Sequence, residues 1–125
     1  MKVNMEKNGL KVGTGEKTIL CIGAHPDDCE FSCSGTAALW AATGNRVVFV
    51  SATDGRSGHH VMSGEKIVSR RKTEARRAAS VIGAESRILP FQDGSLEPSF
   101  ENRLEVIRAI REIAPDLIIT NRPND

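Results

Sequence analysis

Four short β-prone segments alternate with three helical patterns along the chain, and this alternation is the feature that most restricts the fold. The strands are predicted at 17–24, 46–52, 86–91 and 116–120, and the helices at about 34–43, 65–82 and 99–114. Strands that alternate with helices are typical of a parallel sheet covered on both faces. With right-handed crossovers, the sequence predicts an α/β, Rossmann-like three-layer sandwich with a mostly parallel sheet and the strand order 3-2-1-4.

The composition fits one soluble domain. Of the 125 residues, 39% are hydrophobic and 26% are charged, which is enough for a modest core. Residues 1–16 are predicted to be a polar lead segment, and residues 17–125 the N-terminal part of a single α/β domain. No internal repeat or low-complexity segment interrupts this pattern.

A compact group of chemically active residues, His25-Pro26-Asp27-Asp28, directly follows the first predicted strand. Ligands bind at the carboxyl ends of the strands in open α/β sheets, and Pro26 stiffens the turn. His25 and Asp28 offer a nitrogen and an oxygen of the types that zinc accepts, which leaves Asp27 to take a proton from an activated water. The alternative is an ordinary loop with a carboxylate that caps the next helix, and these four residues do not decide between the two.

Further short motifs are distributed over nearly the whole chain from Lys17 onward. These motifs are 24–30 (AHPDDCE), 35–36 (GT), 53–55 (TDG), 71–75 (RKTEA), 78–79 (AA), 82–83 (IG), 93–94 (DG) and 115–120 (PDLIIT). In this order they resemble the PIG-L/LmbE-like zinc de-N-acetylases, which remove acetyl groups from N-acetylglucosamine-type sugars. The resemblance implies a zinc-dependent amide hydrolase that acts on a small N-acetylated sugar conjugate.

The resemblance also implies roles for individual residues. His25 and Asp28 would be zinc ligands and Asp27 the general base, while Asp93 would face the substrate pocket. Arg71 would either contact the substrate or pair structurally with the loop. The family's third zinc ligand is a His that follows the fourth strand, so we expect it beyond Asp125, in a longer protein. The 125-residue chain alone is therefore expected to be a poor enzyme.

The remaining cysteines and histidines have open roles. Cys21, in the first strand, is predicted to be a buried hydrophobe. Cys29 and Cys33 are four residues apart, and we expect them to pack on a helix. The alternative, that they are thiolate ligands, rests on this spacing, which is a weak signal. The role of Glu30 also stays open. The neighbouring His59 and His60 could supply a substitute ligand, but adjacent side chains usually point apart and loop histidines are mostly solvated.

Charge and hydropathy exclude several classes of function. The net charge of +1 argues against a strong nucleic-acid binder. No apolar stretch approaches the roughly 20 residues of a membrane span, and no secretory signal is evident, which together predict a cytoplasmic location. Two rival hypotheses remain: a Rossmann-like small-molecule-binding module, which lacks the usual Gly-rich phosphate fingerprint, and a non-catalytic relative with an incomplete metal site. The sequence does not indicate an oligomeric state.

Overall fold

The computed structural model describes residues 17–62 and 64–124, and the polar lead predicted at 1–16 lies outside them. Within these described residues, four strands alternate with three helices. In chain order the elements are β1 (Thr18–Gly23), α1 (Asp28–Ala42), β2 (Arg46–Thr53), α2 (Glu65–Val81), β3 (Glu85–Phe91), α3 (Phe100–Ile113) and β4 (Leu117–Thr120).

All strand pairs in the sheet are parallel, and the strand order is β3-β2-β1-β4, as predicted. β1 is central, with Ile19 opposite Val47 of β2 on one side and Leu117 of β4 on the other. Since the chain leaves β1 toward β2 and later returns to β4 on its far side, the carboxyl end of β1 is the point where the strand order reverses. Ligand sites of open α/β sheets lie at such a point.

Alternating side chains of β1 and β2 form two cores, one on each face of the sheet. One face carries Ile19 and Phe49, packed against Ala37 of α1 and Ala79 of α2. The other face carries Leu20, Val48 and Val50, packed against Ile113 of α3. Each of the larger side chains stabilises the fold by about 1.5–3 kcal/mol through burial. Both faces are therefore covered, which confirms the three-layer arrangement.

The start of α1 differs from the prediction. The helix begins at Asp28 and not near Ser34, so Gly35 lies within the helix and does not open it. The segment 28–33 contains Asp, Cys, Phe and Ser, which are weaker helix formers than the alanines that follow, and this obscured the early start. Two acidic residues in the first turn, Asp28 and Glu30, suit the positive end of the helix dipole. The motif His25–Asp28 therefore leads directly into the N-terminus of α1, with Asp27 at the N-cap and Asp28 as the first helical residue.

β4 is an edge strand, as expected. Leu117 and Ile118 are 45% and 42% exposed, although they lie in a strand of apolar residues. No helix in the described ranges 17–62 and 64–124 combines the length and the apolar character that a membrane span needs.

Candidate metal and acid–base site

The loop after β1 is a tight turn fastened to the neighbouring strand. The backbone N–H groups of Asp27 and Asp28 both donate to the carbonyl of His25, at 2.8 and 3.2 Å. The backbone N–H and the hydroxyl of Thr53, at the end of β2, both donate to the carbonyl of Ala24 at 2.9 Å. These bonds hold the turn rigidly above the end of the sheet.

The carboxylate of Asp28 is folded back onto this turn. Its Oδ2 accepts hydrogen bonds from the backbone N–H groups of Ala24 and His25, at 2.8 and 2.9 Å. Close approach to the strand end makes this possible, because a methyl group added at Gly23 would lie 2.5 Å from Cβ of Asp28. The close approach of Asp28 to the strand end thus depends on Gly23, which the sequence analysis did not single out.

The two ring nitrogens of His25 face different carboxylates. Nε2 lies 2.9 Å from Oδ1 of Asp93, which follows β3, and Nδ1 lies 3.8 Å from Oδ2 of Asp28. Asp93 therefore meets the motif at the carboxyl edge of the sheet, 68 residues away in the chain. The structure thus brings Asp93 to the predicted motif, and its contact with a substrate stays a prediction.

Asp27 occupies the N-cap position of α1, but its side chain makes no capping hydrogen bond. Instead, Oδ2 of Asp27 accepts a hydrogen bond from Nη2 of Arg71 on α2 at 3.2 Å. The alternative of an ordinary loop with a capping carboxylate therefore gains no support from the Asp27 side chain. For Arg71, the structure places the guanidinium in an ion pair with the loop, which was one of the two predicted possibilities.

Gly55 lets Arg71 reach this position. Its φ of +69° is in the left-handed region, and an added Cβ would lie 3.0 Å from Cδ of Pro26 and 3.2 Å from Nε of Arg71. The Nε atom itself is buried and has no hydrogen-bond partner within the described part of the chain. The guanidinium is thus held between the β2–α2 loop and the proline turn.

A second carboxylate network lies behind Asp93. The buried Asp54 pairs with Arg56 through Oδ2 and accepts the backbone N–H of Asp93 at 3.2 Å through Oδ1. Burial alone would raise the pKa of Asp54, but hydrogen bonds from the Arg56 side chain and from backbone N–H groups outweigh it and lower that pKa. Asp54 and Gly55 belong to the motif at 53–55, but what they contact could not be predicted from that motif.

The cysteines are poorly suited to be thiolate ligands. Cys21 and Cys29 are buried in the core, and burial raises the pKa of the Cys29 thiol to about 12. Cys33 lies one helical turn after Cys29, and its thiol donates to the Cys29 carbonyl at 3.3 Å. Packing on α1 therefore accounts for both Cys29 and Cys33.

Burial also raises the pKa of Glu30, and the negative charges of Asp27 and Asp28 add to this shift.

His59 and His60 are arranged differently from the expectation that adjacent side chains point apart. Their rings stack with centroids 5.1 Å apart and planes 4° from parallel. Nδ1 of His59 accepts the backbone N–H groups of Val61 and Met62, at 3.1 and 2.8 Å. Because Nδ1 is occupied as an acceptor, His59 stabilises its own loop, and its ligand role finds no support.

The donor set at the turn fits part of a zinc site. Tetrahedral zinc, with ligand bonds near 2.0–2.1 Å, would hold two donor atoms about 3.4 Å apart. Nδ1 of His25 and Oδ2 of Asp28 are separated by 3.8 Å, which a small side-chain adjustment brings into range. Over residues 17–62 and 64–124 no group of three His, Cys, Asp or Glu side chains could hold a metal ion. The turn thus offers a pair of ligands.

Next to this pair, a cavity of about 210 Å³ is lined by residues of β1, the first turns of α1 and the end of β4 with the residues that follow it. Gly23, Asp28 and Cys33 line one side, and Thr120 and Arg122 line the other. The crevice lies at the reversal of strand order, where the fold predicts a ligand.

The fold and site together define an α/β protein whose His25–Asp28 turn lies at the switch point of a parallel sheet. The chain belongs to the PIG-L family: the family model described as GlcNAc-PI de-N-acetylase matches residues 20–125. This confirms the resemblance drawn from the motifs.

Two deacetylases are among the proteins similar to this chain. The chain is 34% identical over 110 residues to the diacetylchitobiose deacetylase of Thermococcus kodakarensis, a match that covers 86% of this chain and 41% of that protein. The N,N'-diacetylchitobiose deacetylase structure from Pyrococcus horikoshii superposes with a TM-score of 0.75 at 31% identity, covering 82% of this chain and 39% of the other. The chain thus spans less than half the length of these relatives.

The fold by itself does not determine the reaction. A 4-carboxy-2-hydroxymuconate hydratase from Pseudomonas putida KT2440 superposes with a TM-score of 0.73 at 23% identity, covering 82% of this chain and 46% of that one. At that identity the likeness shows the shared fold alone. An assignment of chemistry must therefore rest on the site residues.

Proposed function

We propose that this chain carries metal-binding and proton-transfer residues of a zinc-dependent hydrolase that removes an acetyl group from an N-acetylglucosamine-type substrate. The observation that carries the proposal is the placement of His25, Asp27 and Asp28 on one turn at the sheet's switch point. Asp27 pairs with Arg71 instead of capping α1, so its carboxylate is committed to the site and not to the helix. Membership of a deacetylase family supports this assignment.

His25 and Asp28 would hold the metal ion. Their donor atoms are of the right types, and the turn fixes both side chains before any metal arrives. A bound zinc ion would supply Lewis-acid chemistry, acidifying water and polarising an amide carbonyl. The remaining ligands come, in this proposal, from outside the described residues or from water.

Asp27 would act as the general base. It accepts a proton from the attacking water and returns it to the departing nitrogen, so that one water and one amide give acetate and a free amine. The hydrogen bond from Arg71 holds Oδ2 of Asp27, which restricts the rotation of the carboxylate. A fixed base satisfies the geometric requirement of proton transfer.

Arg71 and Asp93 flank the motif and are proposed to contact the substrate, a small N-acetylated sugar conjugate. Arg71 stands beside the base and Asp93 beside the proposed ligand His25. The net charge of +1 gives no reason to propose a nucleic-acid partner. A cytoplasmic location remains our proposal from composition.

The second candidate is a small-molecule-binding or non-catalytic relative with an incomplete metal site. It is favoured by the absence, over residues 17–62 and 64–124, of any three-ligand cluster. In that case the turn would stabilise the sheet edge and bind metal weakly or not at all.

Zinc content and acetate release separate these candidates. Purified protein is dialysed against trace zinc, its metal is measured by elemental analysis, and acetate release from N-acetylglucosamine and diacetylchitobiose is assayed. We expect His25→Ala and Asp28→Ala to abolish zinc binding, and Asp27→Asn to keep the zinc but lose acetate release. The controls are His60→Ala, in an exposed loop, and Asp116→Asn, at the opposite end of the sheet. Zinc binding that survives His25→Ala would refute the assignment, and absence of zinc and acetate release from a protein that extends this chain to the length of its relatives would favour the second candidate.

A further inference from the structure

The two nitrogens of the His25 ring are not equivalent, because different carboxylates face them. Oδ1 of Asp93 is at hydrogen-bond distance from Nε2, whereas Oδ2 of Asp28 is 3.8 Å from Nδ1 and already accepts two backbone N–H groups. The contact between His25 and Asp93 is therefore the direct one.

Asp93 is itself held in place from several directions. Its Oδ2 accepts the backbone N–H of Ser57 at 3.3 Å, and its carbonyl accepts the Ser57 hydroxyl at 3.1 Å. Its own backbone N–H donates to Asp54 at 3.2 Å, and Asp54 is fastened by Arg56. The side chain is only 14% exposed. A carboxylate fixed in this way can impose an orientation on the ring that it contacts.

An ionised carboxylate can only accept hydrogen bonds, so its partner nitrogen must carry the proton. We propose that Asp93 is a positioning residue that holds His25 as the Nε2–H tautomer and thereby leaves the Nδ1 lone pair to the metal, beside Asp28. This inference rests on the proposed function for the identity of the metal. Histidine ligands commonly donate their second ring N–H to a carboxylate, which fixes tautomer and orientation.

This positioning role is compatible with substrate contact. A carboxylate offers about four lone-pair sites, and the described bonds of the Asp93 side chain, to His25 and Ser57, use two of them. The two roles nevertheless predict different behaviour in a variant. A role in substrate contact alone predicts weaker substrate binding with an unchanged His25 ring and unchanged zinc affinity.

Asp93→Asn provides a sharp test because an amide has one accepting and one donating end. The backbone N–H of Ser57 can only donate, so the amide oxygen should turn toward Ser57 and the amide nitrogen toward His25. Nε2 must then accept, and the neutral ring should change to the Nδ1–H tautomer. That change places a proton on the nitrogen proposed for the metal.

The tautomer is measured in the metal-free protein by two-bond ¹H–¹⁵N correlation NMR of the imidazole rings, at a pH where they are neutral. We expect His25 to show the Nε2–H pattern in the wild type and the Nδ1–H pattern in Asp93→Asn. His59 is an internal reference, since its Nδ1 accepts two backbone N–H groups and its ring should remain Nε2–H throughout. Asp116→Asn is the matched control and should leave the His25 pattern unchanged.

Zinc affinity is then measured by competition with a chelating dye. Loss of the hydrogen bond should weaken zinc binding by ten- to a hundredfold in Asp93→Asn but not in Asp116→Asn. A wild-type Nδ1–H tautomer, or an unchanged tautomer and zinc affinity in Asp93→Asn, would overturn the positioning role. If the tautomer changes as expected but the wild type binds no zinc, the positioning of the ring by Asp93 stands and the proposed zinc-dependent function fails.

Discussion

Replacing Gly23 with alanine tests how closely the His25–Asp28 turn is packed onto the end of β1. The added methyl group would lie 2.5 Å from Cβ of Asp28, whereas contacts of β-carbons below 3.0 Å are essentially never seen and ordinary contact begins at 3.4 Å. Cβ of Asp28 cannot rotate away, so the first turn of α1 would have to move by about 0.9 Å to restore ordinary contact.

The expected cost follows from two opposing effects. Overpacking of a tight contact destabilises by about 1–3 kcal/mol, while replacing a strand glycine with alanine recovers about 0.5–1 kcal/mol of backbone entropy. We therefore expect Gly23→Ala to lower the free energy of unfolding by about 1 kcal/mol, within a range of about 0–2.5 kcal/mol. Zinc affinity should also fall, because Asp28 leaves its bonds to the backbone of Ala24 and His25.

Gly35→Ala is the matched control for this change. Gly35 lies within α1, and an added Cβ there meets nothing within 4 Å. It should raise the free energy of unfolding by about 0.5–1 kcal/mol and leave zinc affinity unchanged. Urea denaturation of both variants, with zinc titration, gives the comparison. Equal stability of the two variants, or intact zinc affinity in Gly23→Ala, would refute the packing argument.

Two further predictions concern titration and thiol reactivity. The Thr18 backbone N–H, which donates to the Asp116 carboxylate at 2.8 Å, lowers the pKa of Asp116. The stabilisation by the ionised Asp116 carboxylate should therefore be present at neutral pH and disappear as the pH falls below about 4. The urea midpoints of Asp116→Asn and wild type should converge in acid, and a constant difference down to about pH 2 would contradict this prediction. Burial raises the pKa of the Cys29 thiol, whereas Cys33 is partly exposed. A thiol-specific dye at pH 8 should therefore label Cys33 first in the native protein and all three cysteines in denaturant. Fast labelling of Cys29 in the native protein would contradict this prediction.

The local parts of the structure could be predicted from sequence because their causes are local. β1 was placed to within one residue at each end, since a run of buried apolar residues followed by Gly and Pro has few other solutions. The start of α1 was missed by six residues because its first turn is stabilised by charge and by the approach of Asp28 to Gly23, neither of which is a propensity signal.

In the candidate site, too, contacts between residues adjacent in the chain could be predicted from sequence, whereas contacts between distant residues could not. His25, Asp27 and Asp28 are adjacent in the chain, so residue chemistry alone could group them, whereas Arg71 and Asp93 join them across 44 and 68 residues. The parallel sheet explains why they meet, because it brings every strand's carboxyl end to one edge. The sheet cannot specify which nitrogen of His25 contacts Asp93, because that depends on differences of a few tenths of an ångström in side-chain position. Topology thus predicts which residues gather at the site, and side-chain geometry decides how each one can act there.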